Sequence, residues 1–123
     1  ERYSGDTLLV IGGGDSAVEA ALALAEQPGN TIRLSYRKER FSRLKPANQA
    51  RIERAIHDGR VAFLPSTNLI AIEPTRVTLA DSTGSTHELK NDFVFVFAGG
   101  SMPAAILEKL GVEIDRRFAE ALY

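Results

Sequence analysis

The chain has 123 residues and a mass of 13.4 kDa, enough for one ordinary domain with a single core. Its net charge of -1 argues against a general nucleic-acid binder, and the absence of cysteine excludes disulfides, thiolate metal sites and a thiol nucleophile. The longest purely apolar run is too short to span a membrane, and residues 1–6 contain no apolar signal core, so we expect a soluble, cytoplasmic domain.

The first 36 residues predict a strand, a helix and a second strand. Residues 7–11 are a continuous aliphatic run, typical of a strand buried on both faces, and residues 31–36 alternate as a second strand does. Residues 15–26 favour a helix, in which Ser16 and Glu19 have the spacing of a capping box. The apolar stripe of this helix is Val18, Ala21, Leu22 and Ala25.

The remainder predicts one more helix and strand, followed by short strands with turns between them. The predicted elements are a helix at 46–58, a strand at 60–64, strands at 68–73, 76–80 and 86–89, a strand at 93–98 and a short helix at 101–110. The three short strands indicate an antiparallel meander. Residues 93–98 are the most apolar segment, which predicts a central strand with Phe93, Phe95 and Phe97 on one core face.

A glycine-rich turn joins the first strand to the first helix. Gly12, Gly14 and Ala17 fit the pattern G-x-G-x-x-G/A, placed between a strand and a helix as in Rossmann-like folds. Backbone amides at the start of the helix would point at a bound pyrophosphate, assisted by the helix dipole. A purely structural turn is the alternative. The candidate binding residues of the turn are Gly12, Gly13, Gly14, Asp15 and Ser16.

The end of the second predicted strand bears on which nucleotide would bind. An acidic residue there would accept hydrogen bonds from the ribose hydroxyls of NAD or FAD. This chain has Tyr36, Arg37 and Lys38 instead, and guanidinium and ammonium groups suit the 2′-phosphate of NADPH. The window at 33–45 holds six cations and one acid, Glu39, so it carries +5 against -6 for the rest of the chain. Its cations are Arg33, Arg37, Lys38, Arg40, Arg43 and Lys45.

These motifs carry a family resemblance. The runs VIGGGDSAVEAA at 10–21 and YRKERF at 36–41 resemble the NADPH domain of thioredoxin-reductase-like flavoproteins, within the flavin-dependent pyridine nucleotide-disulfide oxidoreductases. The bacillithiol-disulfide-reductase-like and ferredoxin-NADP-reductase-like branches are the most similar. The resemblance covers nearly the whole chain, including the closing segment at 97–103.

The resemblance implies roles for particular residues. It implies that Arg37 and Lys38 hold the 2′-phosphate, that Tyr36 flanks the adenine or its ribose, and that Glu19 lies near the nicotinamide. It also implies that the last candidates, Gly99 and Gly100, line the cofactor cleft. Thioredoxin reductases usually have a histidine in place of Tyr36, and an arginine directly after the phenylalanine that matches Phe41. Here Ser42 takes that place and Arg43 follows, so Arg43 is only a candidate.

We therefore interpret residues 1–123 as a single NAD(P)H-binding domain, excised from a larger FAD-containing oxidoreductase. The fold class is a Rossmann-like, three-layer α/β fold with a parallel sheet and a small antiparallel meander. The predicted function is to deliver hydride from NADPH to FAD held by another domain of the parent chain. The parent is then an enzyme, and the isolated domain, without catalytic residues or a metal site, is predicted to be inactive.

Other interpretations stay open at this point. One alternative is a non-catalytic nucleotide-sensing or protein-interaction module that keeps the same site. A methyltransferase is disfavoured by Ala17 and by the basic strand end. The sequence leaves the final electron acceptor and the oligomeric state open, including a homodimer of the parent, and we expect neither nucleic acid nor a membrane as a partner.

Overall fold

A computed structural model describes residues 5–97 of the chain. The elements, in chain order, are β1 (Thr7–Ile11), α1 (Asp15–Ala25), β2 (Thr31–Ser35), α2 (Pro46–His57), β3 (Val61–Leu64), β4 (Asn68–Glu73), β5 (Arg76–Ala80), β6 (Thr86–Lys90) and β7 (Phe93–Val96). Both helices and strands β1 to β6 lie within one residue of their predicted bounds. The predicted helix at 101–110 lies outside the described residues.

The strands form two sheets, which confirms the predicted fold class. Strands β3, β2, β1 and β7 pair in that order as a parallel sheet, and β4, β5 and β6 pair in order as an antiparallel meander. Parallel strands need crossover connections, which α1 and α2 supply between β1, β2 and β3.

Strand β1 shows how the three layers meet. Its successive side chains point to opposite faces of the sheet. Leu8 and Val10 therefore enter the core beneath the helices, while Leu9 packs with Val77 and Leu79 of the meander. All five side chains are at most 1% exposed, so the parallel sheet is buried on both faces, as its continuous apolar runs predict.

Small side chains let the helices approach the sheet closely. Ala17, Ala20 and Ala21 of α1 are buried against it, and Ile52 and Ala55 of α2 are fully buried. The predicted apolar stripe of α1 is confirmed, because Val18, Ala21 and Leu22 are buried and Ala25 packs partly buried against the same core. No helix in residues 5–97 has both the length and the apolar character that crossing a membrane requires.

The predicted central position of the most apolar strand is wrong for the described sheet. Strand β7 pairs with β1 alone and lies at one end of the strand order. Its apolar character comes from burial on both faces: Phe95 and Phe97 lie in the core beneath the helices, and Val94 and Val96 pack against the meander. The hydrophobicity of a strand indicates that both of its faces are covered, and it does not indicate that the strand has a neighbour on each edge.

Candidate functional site

The candidate residues before position 98 cluster where the parallel strands end. The chain leaves β1 for β2 on one side, while β7 flanks β1 on the other, which makes the end of β1 a topological switch point. The Gly12 N–H donates to the Ser35 carbonyl at 2.9 Å, and the Phe97 N–H donates to the Ile11 carbonyl at 2.7 Å. Open α/β sheets bind ligands in the crevice at such a point.

The three consecutive glycines of the turn differ in whether the surrounding structure leaves room for a side chain. Gly12 has φ +139, and a Cβ there would lie 2.6 Å from the carbonyl oxygen of Phe97. A Cβ on Gly13 would overlap the ring of Tyr36. Gly14 has an ordinary φ of -91, and a Cβ there would meet nothing within 4 Å. The fold therefore requires glycine at positions 12 and 13, whereas at 14 it leaves open space.

Gly14 is also the residue at which α1 begins. It is the N-cap, and its carbonyl accepts the Val18 N–H at 3.1 Å. No side chain caps the helix, so the predicted capping box between Ser16 and Glu19 is wrong. That box needs Ser16 one position before the helix, but the helix already starts at Asp15. The amides of its first turn have no acceptor within the helix, which leaves them available to an anion.

Asn48, which the sequence analysis did not single out, joins the start of α1 to the start of α2. Its buried side-chain amide donates to Asp15 Oδ1 at 2.8 Å and to Glu19 Oε2 at 2.9 Å. Asp15 Oδ1 also accepts the backbone N–H of Lys45 at 3.0 Å. The hydrogen bond from Asn48, followed by that from Lys45, lowers the pKa of Asp15. Both carboxylates are thus held toward α2.

One sequence signal could have indicated Asn48. It lies four residues before Ile52 and seven before Ala55, on the inward stripe of α2. A polar side chain on an apolar stripe must find a partner when it is buried. The sequence carries no sign of which partner that is, because Asp15 and Glu19 are about thirty residues away.

Tyr36 connects the glycine turn to residues 37–43, which follow β2 and which we call the basic segment. Its ring lies against Gly13 and stacks on Phe41 with centroids 5.9 Å apart. Phe41 stacks in turn on Phe63 of β3 at 4.6 Å. This aromatic row spans the carboxyl edge from the end of β1 to the end of β3. Its stacked rings pack the start of the basic segment against the sheet.

The cations that follow Tyr36 are exposed and have no acidic partner within residues 5–97. This applies to Arg37, Lys38, Arg40 and Arg43. By contrast, the guanidinium of Arg33, on β2 itself, donates to the carbonyl of Lys90 at 2.8 Å. Together with one acid, Glu39, these four cations give residues 37–43 a net charge of +3, which favours a bound anion.

The remaining predicted site residues are only partly accounted for. The hydroxyl of Ser16 makes no hydrogen bond to the described part of the chain. Gly99 and Gly100 lie outside the described residues, two positions and more after Phe97. Among residues 5–97, no group of three or more metal-ligating side chains is close enough to hold an ion.

Comparison with known proteins supplies the family. The family described as "Pyridine nucleotide-disulphide oxidoreductase" matches residues 1–122. The chain belongs to this family. Its members are flavin-dependent oxidoreductases that use pyridine nucleotides, so the resemblance seen in the sequence motifs is confirmed.

Three relatives show how much of a larger protein is represented. The chain is 31% identical to the bacilliredoxin reductase Bdr of Bacillus subtilis, over 93% of this chain and 35% of that protein. It is 31% identical to the thioredoxin reductase of Bacillus subtilis, over 96% and 38% respectively. The solved bacillithiol disulfide reductase Bdr of Bacillus cereus superposes with a TM-score of 0.76 at 30% identity, over 93% and 35%. The chain thus spans about a third of these oxidoreductases.

Proposed function

We propose that this member of the family binds NADPH at the carboxyl edge of its parallel sheet. The parent protein then uses the bound nucleotide to reduce a flavin. The observation that carries the proposal is the contact between Tyr36 and Gly13, since it joins a phosphate-type glycine turn to a basic segment that has no carboxylate partner within residues 5–97. One dinucleotide with an added phosphate needs both features side by side.

The turn fits the pyrophosphate. Gly14 has open space at its Cβ position, the first amides of α1 have no acceptor within the helix, and the helix dipole favours negative charge there. We assign the pyrophosphate to the turn formed by Gly12, Gly13, Gly14, Asp15 and Ser16. For Asp15 the backbone amide is the binding group, because its carboxylate already accepts hydrogen bonds from Asn48 and Lys45.

The basic segment fits the 2′-phosphate. We assign Arg37 and Lys38 to this phosphate, Arg43 to its outer side, and Tyr36 to the adenosine. These cations have no carboxylate partner in residues 5–97 that a ligand would have to displace. We assign Glu19 to the nicotinamide side of the turn, where Asn48 holds its carboxylate. We also propose that Gly99 and Gly100 line the cleft, as the family resemblance implies.

When NADPH is bound, it supplies the hydride, and we propose FAD in another domain of the parent chain as the acceptor. The residues of this chain then bind and orient the nucleotide. The chain alone, which has no cysteine, should not oxidise NADPH in the presence of common electron acceptors. Steady oxidation of NADPH by protein free of flavin would contradict the proposal that this chain only binds and orients the nucleotide.

The binding proposal is tested by calorimetry with NADPH and NADH on the wild-type chain and three variants. Gly14→Val places a side chain in the open space and should abolish binding of both nucleotides. Arg37→Ala should weaken NADPH binding roughly ten- to hundredfold, the effect of about one lost charge-assisted contact, and leave NADH unchanged. Arg51→Ala, which removes an exposed arginine from α2, is the control and should change neither affinity.

Two outcomes would count against the proposal. Undiminished binding by folded Gly14→Val, checked by circular dichroism, would mean that the glycines serve only as a turn. Equal affinity of the wild-type chain for NADPH and NADH at low salt would mean that Arg37 and Lys38 do not contact a phosphate.

A further inference from the structure

The turn at residues 65–67, directly after β3, lies beside the basic segment. Within it, Ser66 has φ +55, and it is the one residue other than glycine with a positive φ in the described part of the chain. Such a conformation persists where surrounding contacts hold it, and it is often found where a precise local geometry is needed.

Backbone hydrogen bonds tie this turn to the start of the basic segment. The Ser66 N–H donates to the carbonyl of Lys38 at 3.0 Å, and the Thr67 N–H donates to the carbonyl of Tyr36 at 3.0 Å. In the opposite direction, the Tyr36 N–H donates to the carbonyl of Leu64 at 3.1 Å. Residues 36–38 are therefore held at three points although β2 ends at Ser35.

The hydroxyl of Thr67 closes the turn. It donates to the carbonyl of Leu64 at 2.7 Å, and this uses its one proton. The 2.6 Å contact between Ser35 Oγ and Thr67 Oγ1 is then a hydrogen bond donated by Ser35, whose side chain is fully buried. Thr67 thus links the last residue of β2, the end of β3 and the carbonyl of Tyr36.

We propose that Thr67 is a positioning residue for cofactor choice: it fixes the backbone that carries Arg37 and Lys38, and thereby sets the preference for a 2′-phosphate. The inference rests on the proposed function. The side chains of Arg37 and Lys38 are long and exposed, so only their backbone is held in advance. Holding it lowers the cost of ordering the two cations around one phosphate, as preorganisation does in general.

The test compares Thr67→Val with the wild-type chain. Valine keeps the shape and removes the hydroxyl. Calorimetry uses two ligand pairs that differ by the 2′-phosphate: NADPH against NADH, and adenosine 2′,5′-bisphosphate against AMP. Thr67→Val should weaken both 2′-phosphate ligands roughly three- to tenfold, about one neutral hydrogen bond in effect, and leave NADH and AMP unchanged.

Two further variants separate positioning from general stability. Thr67→Ser keeps the hydroxyl and should restore the wild-type preference. Thr78→Val removes a half-buried hydroxyl from β5, in the meander, and should leave the preference intact even if it lowers stability. A loss of stability alone changes the folded fraction and not the ratio of two affinities, so the ratio reports positioning.

The failure of this inference is distinct from failure of the proposed function. If Arg37→Ala abolishes the preference but Thr67→Val keeps it, Thr67 does not position the cations and the proposed function stands. If the wild-type chain has no preference, both are wrong. Should Thr67→Val fail to fold, Thr67→Ala removes the same hydroxyl from a smaller side chain; an unchanged preference in that variant would overturn the inference.

Discussion

The carboxyl edge of the parallel sheet and the meander both expose many charges, but they differ in whether those charges have partners of opposite sign. In the meander, Arg76 contacts Glu73 and Glu88, each at 3.1 Å, and the His87 ring contacts Asp81 at 2.7 Å. At residues 37–43, which follow β2 at the carboxyl edge, the exposed cations have no carboxylate partner within residues 5–97. Composition alone would describe both as charged surface. Arg76 and His87 are satisfied by neighbouring carboxylates, whereas cations without such a neighbour are suited to bind an anion.

The largest effect is expected within the glycine turn, where a fold requirement and an open position are two residues apart. Gly12→Ala places a Cβ against the carbonyl of Phe97 at a positive φ, so it should lower the free energy of unfolding by about 3 kcal/mol or more. Gly14→Ser should leave it unchanged or raise it by a few tenths of a kcal/mol, because serine is a good N-cap at an extended backbone. Urea unfolding of both variants measures the difference.

In Gly14→Ser, nucleotide affinity and stability should change independently. Gly14→Ser fills the open space and directs a hydroxyl at the helix amides, so it should weaken NADPH binding although the protein is as stable as the wild type. If Gly14→Ser destabilises the chain as much as Gly12→Ala does, the fold itself requires glycine at position 14. Glycine at that position would then no longer support the proposal that a nucleotide binds there.

The sequence predicted the elements well because their signals are local. Continuous apolar runs marked β1 and β7, and a run rich in strong helix formers marked α1. The features that it did not predict join residues far apart in the chain. Asn48 meets Asp15 across 33 positions, and Ser35 meets Thr67 across 32. No periodicity records such pairs, and the place of β7 at one end of the strand order within residues 5–97 likewise depends on tertiary pairing.

The glycine turn shows the same division at a single site. Its sequence pattern predicted a nucleotide-type turn, and Gly12 has the positive φ that a tight turn needs. The pattern requires glycine at position 14 and allows any residue at 13, whereas the fold leaves open space at 14 and requires glycine at 13. The reason is the ring of Tyr36, which follows β2 and lies against Gly13. Local signals thus predict where a site lies, and tertiary contacts decide what each residue in it does.

A smaller effect is expected from the acidic residue at the β5–β6 turn. The hydrogen bond from His87, followed by those from Thr83, holds the pKa of Asp81 well below its usual value. A carboxyl group with a lowered folded pKa contributes stability above its unfolded pKa of about 3.9 and loses it as the pH falls toward the folded value. Asp81→Asn should therefore lower the urea midpoint at pH 7, by an amount that shrinks below about pH 4.

The control for that prediction is Glu26→Gln, whose exposed carboxylate forms no hydrogen bond within residues 5–97. Its difference from the wild-type chain should stay small at every pH. If the deficit of Asp81→Asn is the same at pH 7 and pH 3, the contacts of Asp81 do not depend on its charge. The meander would then be less fully paired than the comparison with the carboxyl edge requires.

The smallest expected effects compare one paired and one unpaired arginine. Arg76→Ala should lower the urea midpoint slightly at low salt, and added salt should reduce the difference, because exposed ion pairs contribute little and are screened. Arg37→Ala should leave the midpoint unchanged or raise it slightly, since it removes the repulsion between Arg37 and the nearby cations Lys38, Arg40 and Arg43.

Adding NADPH should make the contrast between these two variants larger. A ligand that binds only the folded state raises the midpoint by an amount set by its affinity. We therefore expect NADPH to stabilise Arg76→Ala as much as the wild-type chain, and Arg37→Ala less. If Arg37→Ala lowers the midpoint without ligand as much as Arg76→Ala does, Arg37 makes a stabilising contact in the folded chain. The basic segment would then be a second paired surface rather than an anion site.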